Sequence, residues 1–328
     1  MEAFVIMARI LIVMKWFGLG TLILVILVIG GSLINHTIQL SREKSAFPPP
    51  GLMVSVNGHQ MHLFTDGDGD LPLVFIAGSG TSSPTLNFKP LYDQLSKEYR
   101  IVVIERSGYG WSEVGSTARD VDTLLFENRR VLELAKIEPP YVLFAHSMGA
   151  LEAISWANQH PDEVIAIVGL DPAVPEIYQY LPKPPSFMVN LLAFLARTGI
   201  TRLSPDVCGE SLSILEAYLS SFEADMYCAI FYRSTLTKSM LQENKMVDNN
   251  ALQVEKQGIP DVPLYFFISN GNELGMENWR SLLITYINNA PQGQYKIFDV
   301  GHFIHNHEPE IIGTESRIFI QEVIEGLD

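Results

Sequence analysis

The apolar and polar positions divide the chain into one long uncharged run, a series of short apolar runs alternating with helical patterns, and one interval that breaks the alternation. From Trp16 to Ile34 the sequence WFGLGTLILVILVIGGSLI carries no charge, and the next charged residue is Arg42. A helix of that length crosses the roughly 30 Å hydrocarbon layer. Residues 1–40 therefore read as an N-terminal membrane anchor, with residues 16–34 in contact with the membrane as a single-pass transmembrane helix. A cleaved secretory signal fits the same residues: basic Arg9 and Lys15 precede the apolar stretch, and small Gly30 and Ser32 precede a cut. Arg9 and Lys15 on one side balance Arg42 and Lys44 on the other, so charge alone does not orient the span. Anchor and signal both allow an extracytoplasmic domain, at the cell membrane or secreted, and that is the expected location. Residues 41–51, SREKSAFPPPG, read as a linker, because three successive prolines favour extended geometry.

Beyond the linker, Met53–Val56 and Met61–Phe64 are β-rich runs joined by Asn57-Gly58, a hairpin signal. Leu73–Ala77 is continuously apolar, as a strand covered on both faces must be. Ile101–Ile104, Tyr141–Phe144, Val164–Leu170, Leu264–Ile268 and Tyr295–Phe298 complete the strands. Helical patterns lie near Phe88–Glu98, Asp122–Ala135, Met148–Gln159 and Trp279–Asn288, and at the C-terminus. Strands alternating with helices predict a mainly parallel, eight-stranded α/β sheet with helices on both faces and an antiparallel edge from the hairpin. Such sheets carry their chemistry at the carboxyl ends of the strands. The core is expected over residues 52–172 and 260–328. The interval 173–259 interrupts it, with prolines 182, 184 and 185 and helical apolar spacing at Met188, Leu191, Leu192 and Leu195, and reads as an inserted helical lid. Its apolar residues suit either a substrate pocket or the lid's own small core.

Composition sharpens this picture in two places. The 328 residues are 47% hydrophobic and 18% charged, enough for one large core and against disorder. The net charge is −15, yet the first 44 residues carry +2, which leaves −17 on the rest. A body so acidic repels phosphate backbones and anionic headgroups, which excludes nucleic acid as an expected partner. Cys208 and Cys228 are the only cysteines. An oxidising compartment permits their pairing, but two buried free thiols are the expectation, since cysteine packs well as a small hydrophobe.

The local signal with most chemistry is Tyr141-Val-Leu-Phe-Ala-His-Ser147-Met-Gly-Ala150. It is an apolar strand, a serine between small residues, and then a helical pattern. Small neighbours two before and two after are needed because the turn is sharp and its backbone strained. The usual pattern is G-x-S-x-G, with Ala145 in its first glycine position here. Ala77-Gly78-Ser79-Gly80 follows a buried strand, Glu105-Arg-Ser-Gly-Tyr-Gly-Trp-Ser112 follows the next, and Gly301-His302 follows the last.

Across residues 52–326, and most specifically in PPYVLFAHSMGALEAISWANQHPDEVIAIVGLDPA, the chain resembles the α/β-hydrolase superfamily, in particular lidded bacterial serine hydrolases related to esterases and proline iminopeptidases. The resemblance implies an acyl-enzyme on Ser147 with His302 as general base, which also follows from the residue types: a serine hydroxyl is a poor nucleophile until an imidazole takes its proton. Backbone N–H groups of Met148 and of Gly78 or Ser79 would form the oxyanion hole. The triad acid stays open between Asp171, directly after the strand before the lid, and Glu273, after the strand that follows it. His146 is expected to pack beside the elbow.

No cofactor or metal site is expected. Asp66–Asp70 begins like a calcium loop but has Ala77 at position twelve, and His302, His305 and His307 crowd one loop without further ligands at known spacing. An ester or small amide with a neutral or hydrophobic acyl group is the expected small-molecule substrate. Lid acids Glu210, Glu216, Glu223 and Asp225 keep an aminopeptidase open. A non-catalytic ligand receptor or interaction module on the same fold is the rival reading, since fold alone does not certify activity.

Overall fold

Asn57 and Gly58 both adopt positive φ, +51° and +80°. That is the turn geometry which lets two strands twist around each other through a two-residue connection. The hairpin it makes, β1 (Leu52–Val56) and β2 (His59–Asp66), opens the sheet in the computed structural model, which describes residues 1–204, 207–209 and 211–327. The remaining strands are β3 (Pro72–Ile76), β4 (Arg100–Glu105), β5 (Tyr141–His146), β6 (Val164–Leu170), β7 (Leu264–Ile268) and β8 (Gly293–Ile297). Their spatial order is β1-β2-β4-β3-β5-β6-β7-β8. β1 and β2 pair antiparallel, as do β2 and β4, and every later pair is parallel.

The continuous apolar runs are now explained. Every residue of β3, β5 and β7 is buried, because helices cover both faces. Val74, Ile76 and Leu143 point into one core with the helices Val121–Leu134, Gly149–Gln159 and Trp279–Asn288. Leu73, Phe75 and Phe144 point into the other with Lys89–Leu95 and Pro309–Glu325. β8 starts two residues before the expected Tyr295, since an edge strand with exposed Gly293 and Gln294 carries no apolar signal there.

Three expectations need correcting. The first helix runs unbroken from Glu2 to Ala46, so the linker is not residues 41–51 but the short stretch 47–51. SREKSA can continue a helix, and Glu43 is drawn into an ion pair: Arg202 of the lid reaches it with both terminal nitrogens at 2.7 Å. Cys208 and Cys228 are disulfide-bonded rather than free. They bring a connecting segment of the lid onto the helix Ser221–Ser234, a proximity that sequence spacing does not report. Finally, Met188, Leu191 and Leu192 sit on a helix, Ser186–Arg197, but face outward, while Ala193 and Ala196 face in.

The lid also contains the helices Leu212–Leu215, Ser221–Ser234 and Lys238–Gln257. The long N-terminal helix meets it at residues 200–203 and at Ser221–Ser234. Ser32 and His36 are buried there, while the apolar residues before them, such as Leu22 to Val28, are exposed. That helix is apolar and long enough to cross a membrane.

The disulfide makes a direct prediction. Maleimide labelling of denatured, unreduced protein should find no reactive thiol, and two after reduction. Two thiols without reductant would show that the pair does not form.

Candidate active site

The site is built at the carboxyl edge of the parallel strands, from loops that each trail a different strand. After β5, the chain must turn sharply into the helix Gly149–Gln159. Ser147 does this with φ +50°, a left-handed conformation that costs a non-glycine residue free energy and persists only where packing imposes it. The packing is tight. A Cβ on Gly149 would lie 2.6 Å from the Ile76 carbonyl, and one on Gly78 would lie 2.8 Å from the Ser147 Cβ. Ala145 is fully buried in β5 and pairs Ile76 on one side and Gly169 on the other, so the alanine fits where a glycine is usual.

His302 lies after β8 and Asp171 directly after β6. The His302 Nδ1 donates to Asp171 Oδ2 at 2.6 Å. Three more donors converge on that buried carboxylate: the Ser269 backbone N–H at 2.9 Å, the Ser269 hydroxyl at 2.6 Å and the Trp279 indole N–H at 2.8 Å. Asp171 too holds a positive φ, +48°. Glu273 takes a different place. Its carboxylate accepts the backbone N–H of His302 at 2.8 Å and does not address the ring. Of the two candidate acids, Asp171 contacts the imidazole and Glu273 holds the loop.

Ser147 and His302 share neighbours. The His302 ring lies 4.7 Å from the ring of His146, the residue before Ser147. It also lies edge-on to Trp279 at 5.4 Å, and Trp279 lines the same cavity as Ser147. His146 donates from Nε2 to the His302 carbonyl at 3.2 Å. Burial, then the nearby His302 and His305, hold the His146 ring well below the usual imidazole range. His305 is likewise pushed down, to about 3, first by burial and then by His302 and His307. Both are neutral packing groups at ordinary pH, and His305 donates to the Asn87 side chain at 2.8 Å. Among the described residues no group of His, Cys, Asp or Glu is arranged to hold a metal ion.

The cavity over Ser147 has a volume of about 100 Å³. Ser79, Met148, Tyr178, Leu181, Val247 and Trp279 are among its walls, and among the described residues no charged side chain lines it. Of the lid acids, Glu223 instead caps its own helix through Ser220 and faces Lys89 at 3.6 Å. Glu210 lies outside the described residues.

One layer below sits a network that no motif announced. Arg106 donates to the carbonyls of Ala77 and Gly78 at 2.9 and 3.2 Å, and so holds the loop that carries Gly78 and Ser79. Its guanidinium pairs with Glu152 and, at 3.5 Å, with Glu243 from the lid helix Lys238–Gln257. Tyr109 donates to Glu243 at 2.6 Å, and Ser79 donates to Asn244 at 2.8 Å. Burial pushes the Glu152 carboxyl up against the pull of Arg106. The preceding Glu105 shows the opposite balance. Burial pushes its carboxyl up, but His62 and hydrogen bonds from Trp111 and Thr85 bring it below the ordinary range. The run Glu105–Ser112 thus contains the groups that fix this loop. The missed partners, Glu152 and Glu243, sit inside amphipathic helices, where a glutamate ordinarily signals a solvated face.

A family model described as alpha/beta hydrolase fold matches residues 72–307. The uncharacterized protein YbdG of Bacillus subtilis is 34% identical over 222 residues, covering 67% of this chain and 68% of that one. Among solved structures, the enol-lactonase from Burkholderia xenovorans superposes with a TM-score of 0.59 at 18% identity, over 82% of this chain and all of that one. An epoxide hydrolase from Vigna radiata gives 0.62 at 17% identity, over 83% and 97%.

Two stability outcomes follow from the buried groups. Replacing Arg106 by Met should cost about 3–5 kcal/mol by chemical denaturation, because buried Glu152 loses its ion-pair partner and buried Glu243 the nearer of its two. A loss under about 1 kcal/mol would mean that water reaches them. The His305 ring takes up a proton near 6.5 when unfolded but only near 3 when folded. Acid therefore favours the unfolded chain, and this one group should remove about 2 kcal/mol of stability between pH 7 and pH 5. The loss should shrink in His305→Gln.

Proposed function

Because the chain belongs to the α/β-hydrolase fold family, we propose that it is a membrane-anchored serine hydrolase that cleaves an ester through an acyl-enzyme on Ser147. The observation that carries this reading is the 2.6 Å contact from Asp171 to the His302 imidazole, at the strand edge where Ser147 stands on a strained turn. With Nδ1 carrying the proton shared with Asp171, Nε2 is left as the basic nitrogen. It takes the Ser147 proton as Oγ attacks the ester carbonyl, and returns it to the departing alcohol. Water, deprotonated in turn by Nε2, then releases the acid. The developing oxyanion falls to the N–H of Met148 and to that of Gly78 or Ser79, whose loop Arg106 immobilises. One such donor contributes about 3–4 kcal/mol to the transition state.

An ester suits the cavity better than a peptide amine. A free ammonium needs a carboxylate, and the described residues of the cavity wall offer none. Membrane attachment through residues 16–34 is supported by the exposed apolar surface of the first helix. The helix is unbroken through Gly30–Ser32, where a signal cut would fall. The Cys208–Cys228 bridge supports an extracytoplasmic domain, since thiols stay reduced in the cytosol.

Incubation with a fluorophosphonate should label Ser147, identified by peptide mass. Protein that hydrolyses no p-nitrophenyl ester and takes no label would leave the ligand-receptor reading in its place. Asp171→Asn should lower kcat by about ten-thousand-fold, through the wrong imidazole tautomer. Glu273→Gln should lower it only a few-fold. Equal effects would assign the acid wrongly.

A further inference from the structure

A lid helix that shelters a pocket turns its large apolar side chains inward. The helix Ser186–Arg197 does the reverse. Ala193 and Ala196 are buried, whereas Phe187, Met188, Leu191, Leu192 and Phe194 face out, Phe187 with 73% of its surface exposed. No charge interrupts the chain between Lys183 and Arg197. An outward apolar face of this size on a helix with basic residues at its two ends is the build of an element that lies in a membrane interface.

Its position relative to the first helix points the same way. The chain leaves the lid helix through Thr198 and Gly199, and Gly199 takes a left-handed conformation directly against the His36 side chain of the first helix. Three residues later Arg202 forks onto Glu43, donates from Nε to His36 Nδ1 at 2.9 Å, and lies over the Tyr232 ring at 4.2 Å. His36 stands two residues past Ile34, the last residue of the membrane-length segment 16–34, about 3 Å along the axis. The lid is thus clamped to the first helix just beyond that segment. The apolar lid helix leads away from that clamp. At its other end, Leu181 and Tyr178, only a few residues upstream, line the cavity over Ser147.

We propose that the helix Ser186–Arg197 is seated in the outer surface of the bilayer and that the cleft takes its substrate from it: a membrane-resident ester with a long acyl chain. The inference rests on the anchor and hydrolase readings above, and adds the substrate class and a second membrane contact. The acidic body stands away from anionic headgroups while the apolar helix, ended by Arg197 and preceded by Lys183, whose ammonium also pairs with Asp248 at 2.6 Å, meets them.

The test uses the full chain reconstituted in vesicles of phosphatidylcholine and phosphatidylglycerol. An environment-sensitive NBD label is placed by Leu191→Cys or, as control, by Ser281→Cys on an exposed core helix, the native cysteines being paired. The label at 191 should emit at shorter wavelength and be quenched by spin-labelled lipid, and the label at 281 should not. Water-like emission at 191 overturns the docking. So does shorter-wavelength emission without lipid quenching, which would place a protein partner or a second copy there. In the same vesicles, the double change Leu191→Asp and Leu192→Asp should lower hydrolysis of monopalmitoylglycerol about tenfold and leave p-nitrophenyl acetate unaffected. An unchanged ratio of the two rates overturns the bilayer substrate. Wild type silent on both esters would sink the hydrolase reading and this substrate with it, while the labels still decide the docking. Release of wild type by alkaline carbonate would instead sink the anchor.

Discussion

One buried carboxylate organises the reactive edge. Asp171 has no exposed surface, and an unpaired charge in that position would be too costly to keep. Four donors from three segments satisfy it: two from Ser269 after β7, one from Trp279 on the next helix, and one from His302 after β8. Asp171 itself trails β6. The loops of three strands are therefore tied at one point, and the imidazole orientation is fixed by the same bonds that close the fold there. Glu273 completes the arrangement from the other side, by holding the His302 backbone so that the ring has one way to face.

A second constraint couples the lid to the loop beside Ser147. Arg106 fixes the Ala77 and Gly78 carbonyls and meets Glu243, which belongs to the lid. Lifting the helix Lys238–Gln257 would take buried Glu243 away from Arg106, Arg119 and the Tyr109 hydroxyl at once. That helix behaves as part of the core. On the hydrolase reading, access to Ser147 falls to the rest of the lid, where the described residues between 175 and 215 form short helical pieces and connecting segments. On that reading, substrate entry and support of the loop that carries Gly78 and Ser79 fall to separate parts of one insertion.

Much of this was legible along the chain for a physical reason. Strands buried on both faces must be apolar throughout, so β3 to β7 stood out, and the sharp turn at Ser147 demands small neighbours. β8 was blurred because an edge strand needs no apolar signal at its exposed start. Choosing between Asp171 and Glu273 required knowing which carboxylate reaches a ring and which reaches a backbone, a difference of side-chain direction that spacing does not encode. The disulfide and the Arg202–Glu43 pair were invisible for the same reason: both join residues whose approach is decided by tertiary packing. The lid helix was recognised, but its face was misassigned, because apolar spacing says where a stripe lies and not what covers it.

That last error has a physical content of its own. A stripe of Leu, Met and Phe turned outward is costly to leave in water, roughly in proportion to its area. The same helix keeps its small Ala193 and Ala196 against the rest of the protein. The chain also clamps this region to the long first helix by a bidentate ion pair rather than by a flexible tether, whereas a tether would have served if that helix only held the domain near a membrane. The combination is explained if orientation matters, with one fixed face of the lid held toward the bilayer and the acidic remainder held away from it. On that reading, the helix that anchors the protein and the insertion that shapes its cleft act as one device, and the direction from which a substrate arrives is set by the fold.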